Sequence, residues 1–166
     1  MRELFLTLPG LPENGTVFRR RAARGIIRQG GRFLLVRTDA GDYKFPGGGV
    51  EEGETLESAL CREVREETGY TLAGAPSAYG VVHERRQGRT ADILEMDSYY
   101  FFCDISGEAA PLRLDPYEAE EHFRPVWVPL EEALSANRAV PGATPWVDRE
   151  ILVMEALLGG RETWES

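Results

Sequence analysis

The sequence predicts an α+β sandwich, with helices packed on a curved, mixed β-sheet. Three observations lead there. Short strand-like apolar runs fill the first 40 residues and recur between 78 and 105; a 3.6-residue apolar period occupies 55–68; two more helical stretches follow 129. With 166 residues, 42% of them apolar and 28% charged, the chain can bury a real core, and 1–166 is read as one domain.

Taken in order, Leu4 to Leu8 reads as a strand stopped by Pro9-Gly10. Residues 16–28 and 33–37 read as two strands of a hairpin, turned at Gln29-Gly30-Gly31-Arg32. The run PGGG at 46–49 reads as a loop. Residues 55–68 form a helix closed by Gly69 at the C′ position. Residues 78–86 and 92–105 are strands joined around Gly88, and 126–128 is a short strand. Pro129 opens a helix over 130–136, and a last helix runs over about 145–158 to Gly159-Gly160.

Composition removes several function classes. The chain has no apolar run of membrane-spanning length, so a membrane is not expected as a partner. MRELFLTLPG has no basic region followed by a long apolar stretch, so no secretory signal is expected. Cys61 and Cys103 form no CxxC pair, and a reducing cytoplasm is the default compartment. The net charge of −9 opposes general nucleic-acid binding. It is uneven: residues 1–50 carry nine Lys/Arg against four Asp/Glu, which leaves a local patch suited to phosphate groups. Self-association into a homodimer is left open.

The helix at 55–68 carries the chemistry. At 100° per residue, Glu63, Glu66 and Glu67 fall within an arc of about 100°. Leu60 and Val64 take the adjoining, core-facing arc; Arg62, Arg65 and Ser58 fall on the far side. Carboxylates so spaced repel by a few tenths of a kcal/mol per pair. They also lie near the helix C-terminus, where the macrodipole disfavours anions by roughly 0.3–1 kcal/mol each. A solvated acidic face is the plain account. The flank position beside the core instead calls for a positive partner, and a hard divalent cation with oxygen ligands supplies it. Residues 51–67 hold seven glutamates and two arginines, so phosphate could not approach without cations. The glycines before the helix allow close approach to a ligand, and a backbone carbonyl there could complete a metal's coordination.

The spacing is also identifiable. Gly48, five residues, Glu54, seven residues, then Arg62-Glu63-Val64-Arg65-Glu66-Glu67-Thr68-Gly69-Tyr70 resembles the Nudix box in full, nine fixed positions over 23 residues. Tyr70 departs from the family's more usual aliphatic residue. The flanks YKFPGGGVEEGET and WVPLEEAL extend the resemblance loosely over 17–136. It implies an α/β/α sandwich and metal-dependent hydrolysis of a diphosphate linkage in a nucleoside diphosphate-X type of small molecule. By position it implies Glu66 and Glu67 as main metal ligands, Glu63 as a further ligand or base, and Gly47 as a carbonyl donor. Arg62 would orient the catalytic glutamates, with Glu54 as its structural partner. The metal is expected to be Mg²⁺, sometimes Mn²⁺. It would polarise a phosphoryl oxygen and acidify water, whose proton a carboxylate takes.

Outside the box, one more glutamate is expected from Glu118, Glu120 and Glu121, with Glu120 or Glu121 preferred; a solvated acidic loop is the competing account. Tyr43 and Phe45 are the stacking candidates by position, and Arg24 is a candidate for substrate phosphate. Two other functions compete. A regulator that binds nucleotides without catalysis would usually lack box glutamates, all of which are present here. An isomerase of allylic diphosphates would use a cysteine outside the box, and Cys103 lies in a strand without an obvious partner. Markers of ADP-ribose, dinucleoside polyphosphate and NADH hydrolases are absent near 86–88 and beyond, and the coenzyme A pattern is met only by Leu34, Leu35 and Arg37.

Overall fold

The computed structural model describes residues 1–160; the last six residues of the expected domain lie outside the described residues. In chain order the elements are β1 (Arg2–Thr7), β2 (Val17–Gln29), β3 (Arg32–Arg37), β4 (Tyr43–Lys44), β5 (Gly47–Gly49), α1 (Leu56–Thr68), β6 (Thr71–Gln87), β7 (Ile93–Ser106), α2 (Pro116–Glu120), β8 (Arg124–Val128), α3 (Leu130–Ala139) and α4 (Val147–Gly159). The sheet runs β1-β6-β7-β2-β3-β4, with β5 also beside β2 and β8 beside β3. It is mixed, since β2 is parallel to β7 and β1 to β6, while the other pairs are antiparallel. Among the described residues, no helix is long and apolar enough to cross a membrane.

Strand alternation explains the layering. Ala23, Ile27 and Leu34 point to one face, where Ala59, Leu60 and Val64 of α1 cover them. Ile26, Leu35, Phe45, Val82 and Tyr100 point to the other, under Leu130 and Leu134 of α3 and Val153, Met154 and Leu157 of α4. Helices therefore lie on both faces of the sheet. The hairpin turn falls at Gly30 and Gly31, both at positive φ, which matches the twist of the flanking strands. Thr55 caps α1 reciprocally with Ser58, and Gly69 closes it in the left-handed conformation.

Two elements differ from the sequence reading. Strand β6 begins at Thr71 rather than 78, because register shifts at Ala73/Ser77 and Ala78/Gly80 carry it past Gly74 and Pro76. The expected glycine loop is instead strand β5, paired with β2 through Gly49–Ala22, Gly48–Ala23 and Gly47–Arg24. Glycine serves close approach here rather than irregularity. A Cβ on Gly48 would meet the Glu63 carboxylate at 2.6 Å, and one on Gly47 (φ +152°) would meet the Ala23 carbonyl at 2.2 Å. Gly47→Ala is accordingly expected to cost about 1–3 kcal/mol of stability. A urea midpoint matching wild type would contradict this packing.

Candidate active site

The site is built on the inward flank of α1, where it meets β5. Glu67 is fully buried. Its carboxylate accepts from the Lys44 ammonium at 3.0 Å and from the Gly47 N–H at 3.0 Å. Lys44 in turn lies 4.9 Å over the Phe123 ring. Glu63 stands one turn earlier, against the bare α-carbon of Gly48. Carboxylate oxygens of Glu63, Glu67 and Glu118 come within 4.8 Å of one another. Burial raises Glu63 to about 7, with Glu67's charge adding to it. Burial likewise raises Glu67 to about 7, Lys44 opposing the shift and Glu118 adding to it. Three crowded, desolvated carboxylates are an oxygen donor set that suits a hard divalent cation.

Arg62 fastens this flank. Helical spacing predicts it on the far side of α1, but its long side chain folds back and is half-buried. Its Nε and one terminal nitrogen donate to both oxygens of Glu54, at 2.8 and 2.9 Å. The same end group reaches the Gly49 carbonyl at 3.1 Å, Glu63 at 2.9 Å and Glu66 at 3.3 Å. This forked grip holds Glu54 down to about 2, chiefly through the Arg62 hydrogen bond. Glu66 lines the cleft beside the triad of Glu63, Glu67 and Glu118, and lies outside it.

Glu118 arrives by a long-range route. The segment after β7 wraps the C-terminal end of α1, and the N–H groups of Ala110 and Arg113 donate to the carbonyls of Gly69 and Glu66. Those are orphan acceptors of a helix end. The chain then enters α2 through a capping box between Asp115 and Glu118, which aims Glu118 inward. The acidic run is thus a helix rather than a loop. Glu120 is exposed and Glu121 half-exposed, and neither lines the cleft, contrary to the preference for those two. The signal for Glu118 was the Asp115-Pro116-x-Glu118 pattern itself.

The cleft has a volume of about 690 Å³. Its acidic pole is the α1–α2 cluster. Phe18, Leu94 and Met96 of the sheet form an apolar floor, with Tyr117 and Trp146 also on its walls. Trp146 is set by its indole N–H, which donates to buried Asp42 at 2.9 Å. Tyr43 and Phe45 do not line the cleft. Both are buried in the core, where Phe45 meets the Tyr100 ring edge-on at 5.6 Å. Asn137 pins Tyr43 through its backbone N–H and carbonyl. Period-two alternation gives a strand two faces, and helices α3 and α4 claimed this one. Aromatic residues that do reach the cleft are Phe18, Tyr117, Phe123 and Trp146. Arg24 lines the cleft, together with Lys44 and Arg149, which the sequence reading gave no role.

A NUDIX domain family model matches residues 18–149. The chain is 47% identical over 124 residues to a MutT-like protein of Streptomyces ambofaciens, covering 74% of this chain and 77% of that one. It is 33% identical over 103 residues to an ADP-ribose pyrophosphatase of Methanocaldococcus jannaschii, covering 60% of this chain and 59% of that protein, so it spans less than two thirds of the relative's length. Its fold is similar to that of a NUDIX hydrolase from Nitrosomonas europaea, with a TM-score of 0.62 at 23% identity over 86% of this chain and 90% of the other. The box spacing, the sheet clad by helices on both faces and the model match over most of the chain agree: this protein belongs to the Nudix hydrolase family.

Proposed function

We propose that this protein hydrolyses the diphosphate linkage of a nucleoside diphosphate-X type substrate, with Mg²⁺ or Mn²⁺ held by the α1 flank, in the cytoplasm. The approach of carboxylate oxygens of Glu63, Glu67 and Glu118 to within 4.8 Å of one another, inside a cleft also lined by cationic side chains, carries this reading. Glu67 and Glu118 would ligate from the buried side and Glu63 would be a further ligand or proton acceptor, with the Gly47 carbonyl available as a backbone donor. Glu66 remains a proposed ligand at the open edge of the cleft. A bound divalent cation supplies Lewis acidity toward a phosphoryl oxygen and acidifies water. Arg62 and Glu54 hold the carboxylates at fixed angles, which avoids reorganisation during reaction. Lys44 brings positive charge to the diphosphate, and Arg24 lines the same cleft from β2. Trp146 offers a ring to a planar group, beside Tyr117, whose own ring carries the Arg89 guanidinium at 4.8 Å.

The test is a panel of nucleoside diphosphate derivatives and nucleoside triphosphates with Mg²⁺ or Mn²⁺, read by released phosphate or pyrophosphate. Turnover that EDTA abolishes and added metal restores is the expected result. A protein inert throughout the panel, yet binding a nucleotide tightly, would be the regulator instead.

A further inference from the structure

One wall of the cleft carries more positive charge than the fold needs. Alternation along β2 places Phe18, Arg20 and Arg24 on the same face of the sheet. Register then sets Arg86 in line with Leu94 and Phe18, and Glu84 in line with Met96 and Arg20. Arg149 joins them from the first turn of α4. All four arginines line the cleft.

Their pairing is incomplete. Arg149 donates one terminal nitrogen to Glu84 at 3.0 Å and the other to Glu150 at 3.0 Å. That one side chain bridges both buried carboxylates. The Nε of Arg86 comes within 3.3 Å of the second Glu84 oxygen without hydrogen-bond geometry. Arg24 is only 5% exposed, yet among the described residues its one hydrogen bond is from Nε to the Ser98 hydroxyl at 3.2 Å. Arg20 lies across Gly49, so close that a Cβ there would meet its terminal nitrogen at 1.9 Å. Four guanidiniums therefore face two carboxylates, Glu84 and Glu150. The Nε of Arg149 is buried without an acceptor, and that of Arg86 has only the off-angle Glu84 oxygen, itself unpartnered. Burial and mutual repulsion pull Arg24 and Arg86 below the ordinary arginine range. Balancing Glu84 and Glu150 needs only Arg149 and Arg86, which leaves Arg20 and Arg24 in surplus. Of that surplus Arg24 is the buried one, and an uncompensated buried guanidinium is costly unless an anion pairs with it; Arg20 is exposed and adds its charge from the rim.

We propose that Arg20, Arg24, Arg86 and Arg149 form a phosphate subsite for an additional phosphate group, one the substrate carries outside its scissile diphosphate. Forked guanidinium donors suit phosphate oxygens, and a surplus of two positive charges matches a phosphate dianion. The wall lies on β2, β6 and α4, whereas the scissile diphosphate is drawn to cations on the α1–α2 pole. The assignment of the extra phosphate to a substrate rests on the proposed hydrolysis; the anion site itself does not.

Two measurements separate these. The first uses the full chain in EDTA, titrated with inorganic phosphate and followed by NMR of backbone amides and arginine Nε–H groups. Saturable binding is expected. Arg86→Gln, at a partly exposed position, and Arg24→Gln should each weaken it by roughly tenfold or more, the loss of a charge-assisted hydrogen bond. Absence of saturable binding, or equal binding by folded Arg86→Gln, overturns the subsite. The second, with Mg²⁺, compares a dinucleotide diphosphate with the same molecule bearing one ribose phosphomonoester. The phosphorylated member should have the higher kcat/KM, and Arg86→Gln should shrink the ratio. Brisk, equal turnover of both overturns the subsite and leaves the hydrolysis reading standing. Phosphate binding in EDTA without turnover of any diphosphate supports the anion site and sinks the hydrolysis reading.

Discussion

Glu67→Gln is expected to lower kcat/KM by about 10²–10⁴-fold while the protein still folds, the scale of removing a general base or an organised electrostatic group. Folding should survive because the wild-type carboxylate is already disfavoured as an anion: burial holds it up at about 7. A neutral amide of the same shape mimics its protonated form. The local cost is one donor, Lys44 or the Gly47 N–H, left without an acceptor. That is worth about 1–3 kcal/mol, within the stability of an ordinary domain. Activity should not survive, since the amide is a poor ligand for a hard cation and, among the described residues, no other carboxylate is so deeply placed between β5 and α1. Glu66→Gln should also lose activity, through a half-buried proposed ligand rather than a fully buried one. Initial rates at saturating Mg²⁺, with circular dichroism to verify the fold, make the measurement. Rates within about threefold of wild type in both variants would remove the α1 flank from the mechanism; that threshold is about 0.7 kcal/mol of transition-state energy.

What was legible in the sequence was local. The helix at 55–68, its Gly69 stop and the clustering of Glu63, Glu66 and Glu67 all follow from a 3.6-residue period, and the pairing of Glu54 with Arg62 follows from resemblance to a spaced motif. Layering on both faces followed from the same resemblance, and alternation in β2 and β3 shows how it is met. Side-chain reach and face choice were not legible. Arg62 projects outward by angle, yet its flexible stem lets the guanidinium return to Glu54. Tyr43 and Phe45 precede the glycines by position, but which strand face meets α4 is set by long-range packing. The glycine strand β5 hid its nature, because pairing with β2 needs the absence of side chains that usually signals a loop. Glu118, Trp146 and Arg149 come from segments distant in sequence, each steered by tertiary contacts: the cap on α1, the Asp42 carboxylate and the Glu84–Glu150 pair.

Glu118→Gln against Glu120→Gln and Glu121→Gln decides which residue outside the box belongs to the site. Glu118→Gln should raise the Mg²⁺ concentration needed for half-maximal activity by about 10–100-fold or more, the range for losing even an outer-shell metal partner. The substitution isolates metal chemistry from folding. Glutamine also serves at the third position of a capping box, so it can still accept from the Asp115 N–H as Glu118 does at 3.0 Å. Helix α2 and its approach to α1 should therefore persist. What is lost is an anionic oxygen beside Glu63 and Glu67. Glu120→Gln and Glu121→Gln should change the same quantity by about twofold at most, as for surface substitutions worth up to roughly 0.5 kcal/mol. Both side chains lie off the cleft, and the field of either at the metal is screened by solvent. Metal titrations of kcat/KM for the three variants, with Mn²⁺ as a second ion, give the answer directly. An equal shift in Glu120→Gln or Glu121→Gln, with Glu118→Gln unaffected, would mean that α2 turns over its axis when metal binds.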